Sequence, residues 1–186
     1  RVVKAFPPEQ ISEVSKVDVS DKAFQPSELF VFEKKLIVIG STYAEKTSTS
    51  VYVFDMTDSK ALKQEREIKF DGSEISSRRI GNRIFLVMND SSSQYGITEE
   101  NSDINKELPH FEDSLIGEPR PIASCGGIRY LPHSTDTNFL IVTSFDVSDP
   151  NSPVSKETIL GAGDTVYTSK ESLYVAGRRW ESPTIG

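Results

Sequence analysis

The sequence predicts an all-β fold assembled from repeated four-stranded antiparallel units. Three observations predict it: apolar runs of strand length, an absence of capped helical spacing, and a hairpin that returns at fixed intervals along the chain. The runs are Leu36-Ile37-Val38-Ile39, Val51-Tyr52-Val53-Phe54, Ile84-Phe85-Leu86-Val87, Phe139-Leu140-Ile141-Val142 and Leu173-Tyr174-Val175. They are rich in β-branched and aromatic residues and bounded by Gly, Asn, Asp or Ser, the pattern of strands buried on both faces. The best helical candidate, Ser59 to Lys69, carries the good helix formers Ala61, Leu62, Gln64, Glu65 and Arg66. Its counterpart in a later repeat follows Pro150 and Pro153, which suit a turn and would break a helix, so a hairpin arm is expected there instead.

The repeat has two parts. Ser27-Glu28-Leu29, Ser73-Glu74-Ile75 and Asp164-Thr165-Val166 each follow a polar or Gly-bearing turn and lead into a strand pair, at spacings of 46 and 91 residues. Phe54-Asp55-Met56-Thr57-Asp58 and Phe145-Asp146-Val147-Ser148-Asp149, again 91 residues apart, each close a strand and open a turn. Val17-Asp18-Val19-Ser20-Asp21 is similar but lies too near the next hairpin to be a third copy. A unit of four strands over about 46 residues is the blade of a β-propeller. Strands are expected over Glu28 to Phe32, Lys35 to Ser41, Ser50 to Asp55 and Leu62 to Phe70, with equivalents in the next unit. The expected organisation is one partial propeller domain over 1–186, with a first full blade at 28–70, a second at 74–160 and the start of a further blade at 164–186. The second blade holds a stretch at about 90–137 that is read as an insertion, since it lacks the twin apolar runs of a blade, with a degenerate extra blade of nearly one period as the alternative. Two units and a hairpin are too few for a ring of four to eight blades, so an incomplete ring with open sheet edges is expected. Asp90 to Pro119, polar and short of apolar anchors, is expected to be the most mobile stretch.

Composition narrows the function classes. Asp and Glu outnumber Lys and Arg by 28 to 21, a net charge of -7 that repels a phosphate backbone, and the basic pairs Arg78-Arg79 and Arg178-Arg179 lie far apart. Nucleic acid is not an expected partner. The single cysteine, Cys125, forms no internal disulfide, and His110 and His133 are too few for a structural zinc site. No apolar run nears the roughly 20 residues that span a bilayer. The chain starts at Arg1 with no signal-like segment, so it is expected to begin inside a longer protein.

Several segments together resemble a known family: Gln25-Pro26-Ser27-Glu28-Leu29-Phe30-Val31 with Leu36-Ile37-Val38-Ile39-Gly40, Ser77-Arg78-Arg79-Ile80-Gly81-Asn82 with Phe85-Leu86-Val87, and Gly161-Ala162-Gly163-Asp164-Thr165-Val166-Tyr167 leading to Leu173-Tyr174-Val175-Ala176. The chain resembles the secreted bacterial and archaeal β-propeller domain family, distantly related to WD40 repeats. The resemblance covers most of the sequence and implies a propeller fold and an extracytoplasmic, secreted or envelope-attached location. Its motifs build blades and imply no activity.

No catalytic signature accompanies the repeat. Asp55, Asp58, Asp146 and Asp149 precede turns, where aspartate caps its own backbone, and too few oxygens gather for Ca²⁺. No metal or cofactor is therefore expected. Asp71 and Ser73, with Asp164 and Thr165, flank the turns that lead into the innermost strands, where propellers gather ligand-facing groups, so these four residues are candidate ligand contacts. Arg78 joins them because strand alternation sends Arg78 and Arg79 to opposite faces, with one expected to meet a carboxylate. Cys125 and His110 or His133 would need a loop to unite them into a dyad, and Gly126-Gly127 lacks a phosphate-binding fingerprint. The expectation is a non-catalytic scaffold for a protein or glycan at the cell envelope. The alternative is a hydrolase-type or other enzyme with a site in the propeller channel, which requires Asp71, Arg78 and Asp164 to converge.

Overall fold

The computed structural model describes residues 1–19, 23–44, 46–91, 108–130, 137–161, 163–169 and 171–177. Among them the regular structure is strand, with 3-10 turns at Pro8–Gln10 and Cys125–Gly127. An N-terminal hairpin joins β1 (Val2–Lys4) to β2 (Ser12–Ser15). The first large sheet is a meander of β3 (Phe24–Phe32), β4 (Lys35–Tyr43), β5 (Thr47–Asp55) and β6 (Lys63–Asp71). The second begins with β7 (Ser73–Ile80) and β8 (Arg83–Asp90). The chain then gives β9 (His110–Asp113), β10 (Arg120–Pro121) and β11 (Ile128–Tyr130) before returning to the second sheet as β12 (Phe139–Asp146) and β13 (Ser155–Leu160). A last hairpin pairs β14 (Thr165–Thr168) with β15 (Leu173–Ala176). The fold is all-β and propeller-like, and the described sheets do not close into a ring. The segment with helix-forming residues is the arm β6, whose Arg66, Ile68 and Phe70 alternate onto the buried face as strand periodicity requires.

The core lies between the two large sheets. Ile37, Ile39, Val51, Val53, Ile68 and Phe70 from the first face Ile84, Leu86, Met88, Phe139, Ile141 and Phe145 from the second, all at least nine-tenths buried. The register makes this one layer. Ile141 pairs with Met88 on one side and Thr158 on the other, and Phe145 pairs with Ile84, so alternate residues of three strands point the same way. The opposite face of the second sheet carries the β14–β15 hairpin. At Gly163 a side chain would collide with Val175, and Leu140 lies just beyond at 3.1 Å.

The insertion corrects one expectation. Residues 92–107 lie outside the described residues, but from Leu108 onward the chain is anchored rather than bare: Leu108, Phe111 and Ile122 are buried in the core. Among the described residues it forms no sheet of its own. β9 pairs antiparallel with β6 of the first sheet, β10 extends it, and β11 runs parallel to β13 of the second. The outer strands β6 and β13 are therefore covered, which narrows the expectation of open edges to the short β10 and β11 and the inner strands. The tail with Trp180 lies outside the described residues.

Candidate functional site

At one end of the sheets the chain crosses from each unit to the next. Gly72 makes the first crossing at a φ of 100°, and a side chain there would sit 2.7 Å from the Asn89 carbonyl oxygen, so only glycine fits. Its N–H donates to Thr47 O at 2.9 Å, and its carbonyl accepts from the Thr49 hydroxyl at 2.9 Å. Asp71, just before it, accepts the His110 backbone N–H at 2.9 Å and so fastens β9. Ser73, just after it, is exposed. At the second crossing the Asn89 amide clasps Gly163, donating to its carbonyl at 2.8 Å and accepting from its N–H at 3.2 Å. Asp164 and Thr165 follow with exposed side chains, and the Asp164 N–H donates to Ala176 O.

A polar contact missed by sequence reasoning lies at the same end. Both β3 and β7 carry a bulge near their start, between Pro26 and Glu28 and between Glu74 and Ser76. Gly40 opposes the first, where a side chain would collide with the Gln25 carbonyl. The bulges re-aim the strands so that the Ser27 hydroxyl donates to Glu74 Oε2 at 2.6 Å. The signal was present, since Ser27 and Glu74 sit in the recurring Ser-Glu motif, but a motif that punctuates a repeat does not say that two copies touch.

Arg78 is elsewhere. It lies five residues beyond Ser73, roughly 17 Å along an extended strand, so the structure does not bring Asp71, Arg78 and Asp164 together. Arg78 donates to Ser77 O at 2.6 Å, while Arg79 faces the first sheet, donates to Gly81 O and covers the Phe32 ring at 5.8 Å. Both are exposed, and among the described residues each donates to a backbone carbonyl rather than to the expected carboxylate. At this end the two Asp turns repeat each other bond for bond. Asp55 Oδ1 accepts from the Thr57 N–H and hydroxyl, and Asp146 Oδ1 from those of Ser148. Met56 N donates to Lys34 O, and Val147 N to Asn82 O. The Thr57 and Ser148 hydroxyls hold the Asp55 and Asp146 carboxyls below their ordinary value. Cys125 is exposed on its 3-10 turn, His110 is on β9, and His133 lies outside the described residues. Among the described residues no cluster of His, Cys, Asp and Glu has the form of a metal site.

The family model described as the beta propeller domain matches residues 1–185. The chain belongs to the beta propeller domain family. No curated protein and no solved structure matches it. In this propeller β3, β7 and β14 are the first strands of successive units and lie side by side: Ser27 of β3 meets Glu74 of β7, and β14 packs against β7. The Ser27–Glu74 hydrogen bond holds the first unit to the next.

A buried ion pair lies at the outer rim of the propeller. Arg66 of β6 makes two hydrogen bonds to Asp113 of β9, at 3.1 and 2.6 Å, and a third to Ser152 O at 2.8 Å, with the Phe145 ring 5.8 Å away. Both side chains are nearly fully buried. A bidentate pair suits a guanidinium there, because its planar fork matches the carboxylate and each of its three nitrogens donates to a fixed acceptor. The clamp joins the first blade, the insertion and the loop between β12 and β13. Nothing in the local sequence of Arg66 or Asp113 announced it.

Proposed function

We propose that the propeller is a non-catalytic scaffold that presents its surfaces to a protein or glycan at the cell envelope, outside the cytoplasm. The observation that supports this most directly is the use made of the polar side chains near the first strands. Asp71 fastens β9, Ser27 and Glu74 bond each other, and Arg78 bonds its own strand, so these groups serve the architecture rather than a shared reaction centre. Exposed apolar side chains accompany them: Leu29 and Val31 on β3, Tyr130 on β11, and Tyr167 and Tyr174 on the last hairpin. Side chains of this kind supply contact area to a partner.

The test pairs location with binding. The protein is tagged and the cells fractionated, and the purified chain is cosedimented with isolated envelope polysaccharide and, separately, with envelope stripped of protein or of glycan. Recovery in the envelope or medium, with saturable binding lost when one of those components is stripped, is the expected result. Recovery in the cytoplasm overturns the location. Turnover of a chromogenic ester or glycoside that disappears in Glu74→Gln overturns the non-catalytic reading and points to an enzyme at the Ser27–Glu74 contact.

A further inference from the structure

The seam between the first two blades has an excess of donors on its outer side. Register places Phe70, Phe111 and Arg120 in one row across β6, β9 and β10, because Phe70 pairs with Phe111 and Phe111 with Arg120. Directly opposed residues of neighbouring strands share a face. The Phe70 and Phe111 rings stack at 6.2 Å, which turns the row toward the second sheet. From that sheet Lys156 of β13 reaches across, and its Nζ lies 3.8 Å from the centre of the Phe111 ring. Lys156 and Arg120 thus flank one aromatic floor.

Neither cation is ion-paired among the described residues. Among the described residues no carboxylate lies within ion-pair distance of Lys156 or Arg120, although such pairs occur elsewhere, at Lys35–Glu65 and Arg129–Glu157. Asp113 is near enough to act on Lys156, but both its oxygens are engaged by Arg66. Burial, then the charge of Arg120, lowers the Lys156 pKa against the pull of Asp113. Two hydroxyls on the same sheet face add to the surplus. Thr143 pairs directly with Lys156 and Thr158 lies two residues further along β13, and the hydroxyl of each is buried with no hydrogen-bond partner among the described residues. Two like charges brought together over a ring, beside unspent hydroxyl donors, call for an acceptor with several oxygens and at least one negative charge.

We propose that the outer seam between the first two blades, at Lys156 and Arg120, binds a single tetrahedral oxyanion of the phosphate or sulfate class. The Phe111 ring holds the Lys156 stem in place, and Arg120 supplies a planar fork from the more exposed side. The anion would relieve the repulsion between the two cations and tie the insertion strand β10 to β13 of the second blade, adjacent to the Arg66–Asp113 clamp but independent of it.

The test is titration of the purified chain with inorganic phosphate at constant ionic strength, read by amide and Lys Nζ chemical shifts and by thermal melting. Saturable shifts at Lys156, Phe111 and Arg120 are expected, with a rise in Tm. Arg120→Gln should weaken phosphate binding about tenfold, the loss of one charged hydrogen-bonded contact. Arg120 is exposed, so this variant should retain the wild-type melting temperature without phosphate. Lys156→Met, which keeps the apolar stem, should remove the saturable response. A sugar phosphate monoester run beside inorganic phosphate separates the two sources of the group: tighter binding of the ester assigns the site to a phosphorylated glycan, and equal or weaker binding to the free ion. An unsaturable rise in Tm of equal size in the wild type and both variants would be the general exclusion effect of phosphate and would overturn the proposal. So would the absence of shifts at these three residues.

Discussion

Single residues divide into those whose partners are local and those whose partners come from far along the chain. Arg66 and Asp113 are of the second kind, and their burial makes the pair expensive to break. Arg66→Ala or Asp113→Ala leaves one buried charge uncompensated, and each should destabilise the propeller by about 3–5 kcal/mol in urea unfolding. The double variant Arg66→Met with Asp113→Leu, which removes both charges and refills part of the space, should recover much of that loss. Asp55 and Asp146 are of the first kind. Their carboxyls titrate below the ordinary aspartate value of 3.8, with the Thr57 and Ser148 hydroxyls as the first cause. A carboxyl with a lowered folded-state pKa contributes stability above its unfolded pKa and loses it as the pH falls through the folded one. The melting temperature should therefore drop on acidification below about pH 4, and Asp146→Ala should flatten part of that decline. An unchanged acid profile in this variant would show that the turn contributes nothing through its carboxylate.

At the scale of elements, the insertion decides how the blades end. Strands β6 and β13 would present rows of unpaired backbone groups if left bare, and β9 and β11 pair with them instead. The amides of Glu112, which opposes Lys69, and Ser114, which donates to Glu67 O, should exchange slowly, at rates comparable with Ile68 and Phe70, in a hydrogen-exchange experiment. Rapid exchange there would mean that β9 detaches while the blade stays folded. Phe111 carries most of the anchoring, being buried in the core, stacked on Phe70 and under the Lys156 ammonium. Phe111→Ala should cost about 3–5 kcal/mol by the usual penalty for deleting a buried aromatic ring. It should also release β9 and leave the edge of β6 open to other chains, seen as increased light scattering.

At the scale of the molecule, the unclosed ring leaves two faces without a neighbouring blade. One carries Leu29 and Val31, exposed by 63% and 55%, beside the half-buried Leu36 and Val38. The other carries Tyr167 and Tyr174, which pair across the last hairpin while Val166 and Val175 alternate inward. These sheet faces, more than the covered outer edges, are where further blades or a second copy would pack. The isolated chain should associate in a concentration-dependent way, and Leu29→Glu or Tyr174→Glu should shift it toward monomer. A compact 20.7 kDa particle at every concentration, by light scattering and solution X-ray scattering, would show that the chain satisfies these faces by itself.

The strands, the turns and the repeat were determined by the sequence alone, because their causes are local. Continuous β-branched and aromatic runs at Leu36 to Ile39 and Val51 to Phe54, prolines after Asp149, and an Asp two residues before a hydroxyl act over a few residues and are visible without a fold. The sequence reading also started β3 and β5 too late, at Glu28 and Ser50, because Phe24 to Ser27 and Thr47 to Thr49 are turn-like residues that pair only once a neighbouring strand is present. What the tertiary structure decided is which distant segments meet. Ser27 finds Glu74, Arg66 finds Asp113, and the short strands of the insertion find the outer edges of two different sheets. Such pairings depend on which backbone edge is left unpaired and which buried charge needs an acceptor, and those needs exist only after the blades have packed. The same reason explains the candidate ligand residues. Asp71, Ser73, Asp164 and Thr165 could be placed at crossings from turn chemistry, but that Arg78 sits at the far end of β7 follows from strand length and direction, which only the assembled sheets reveal.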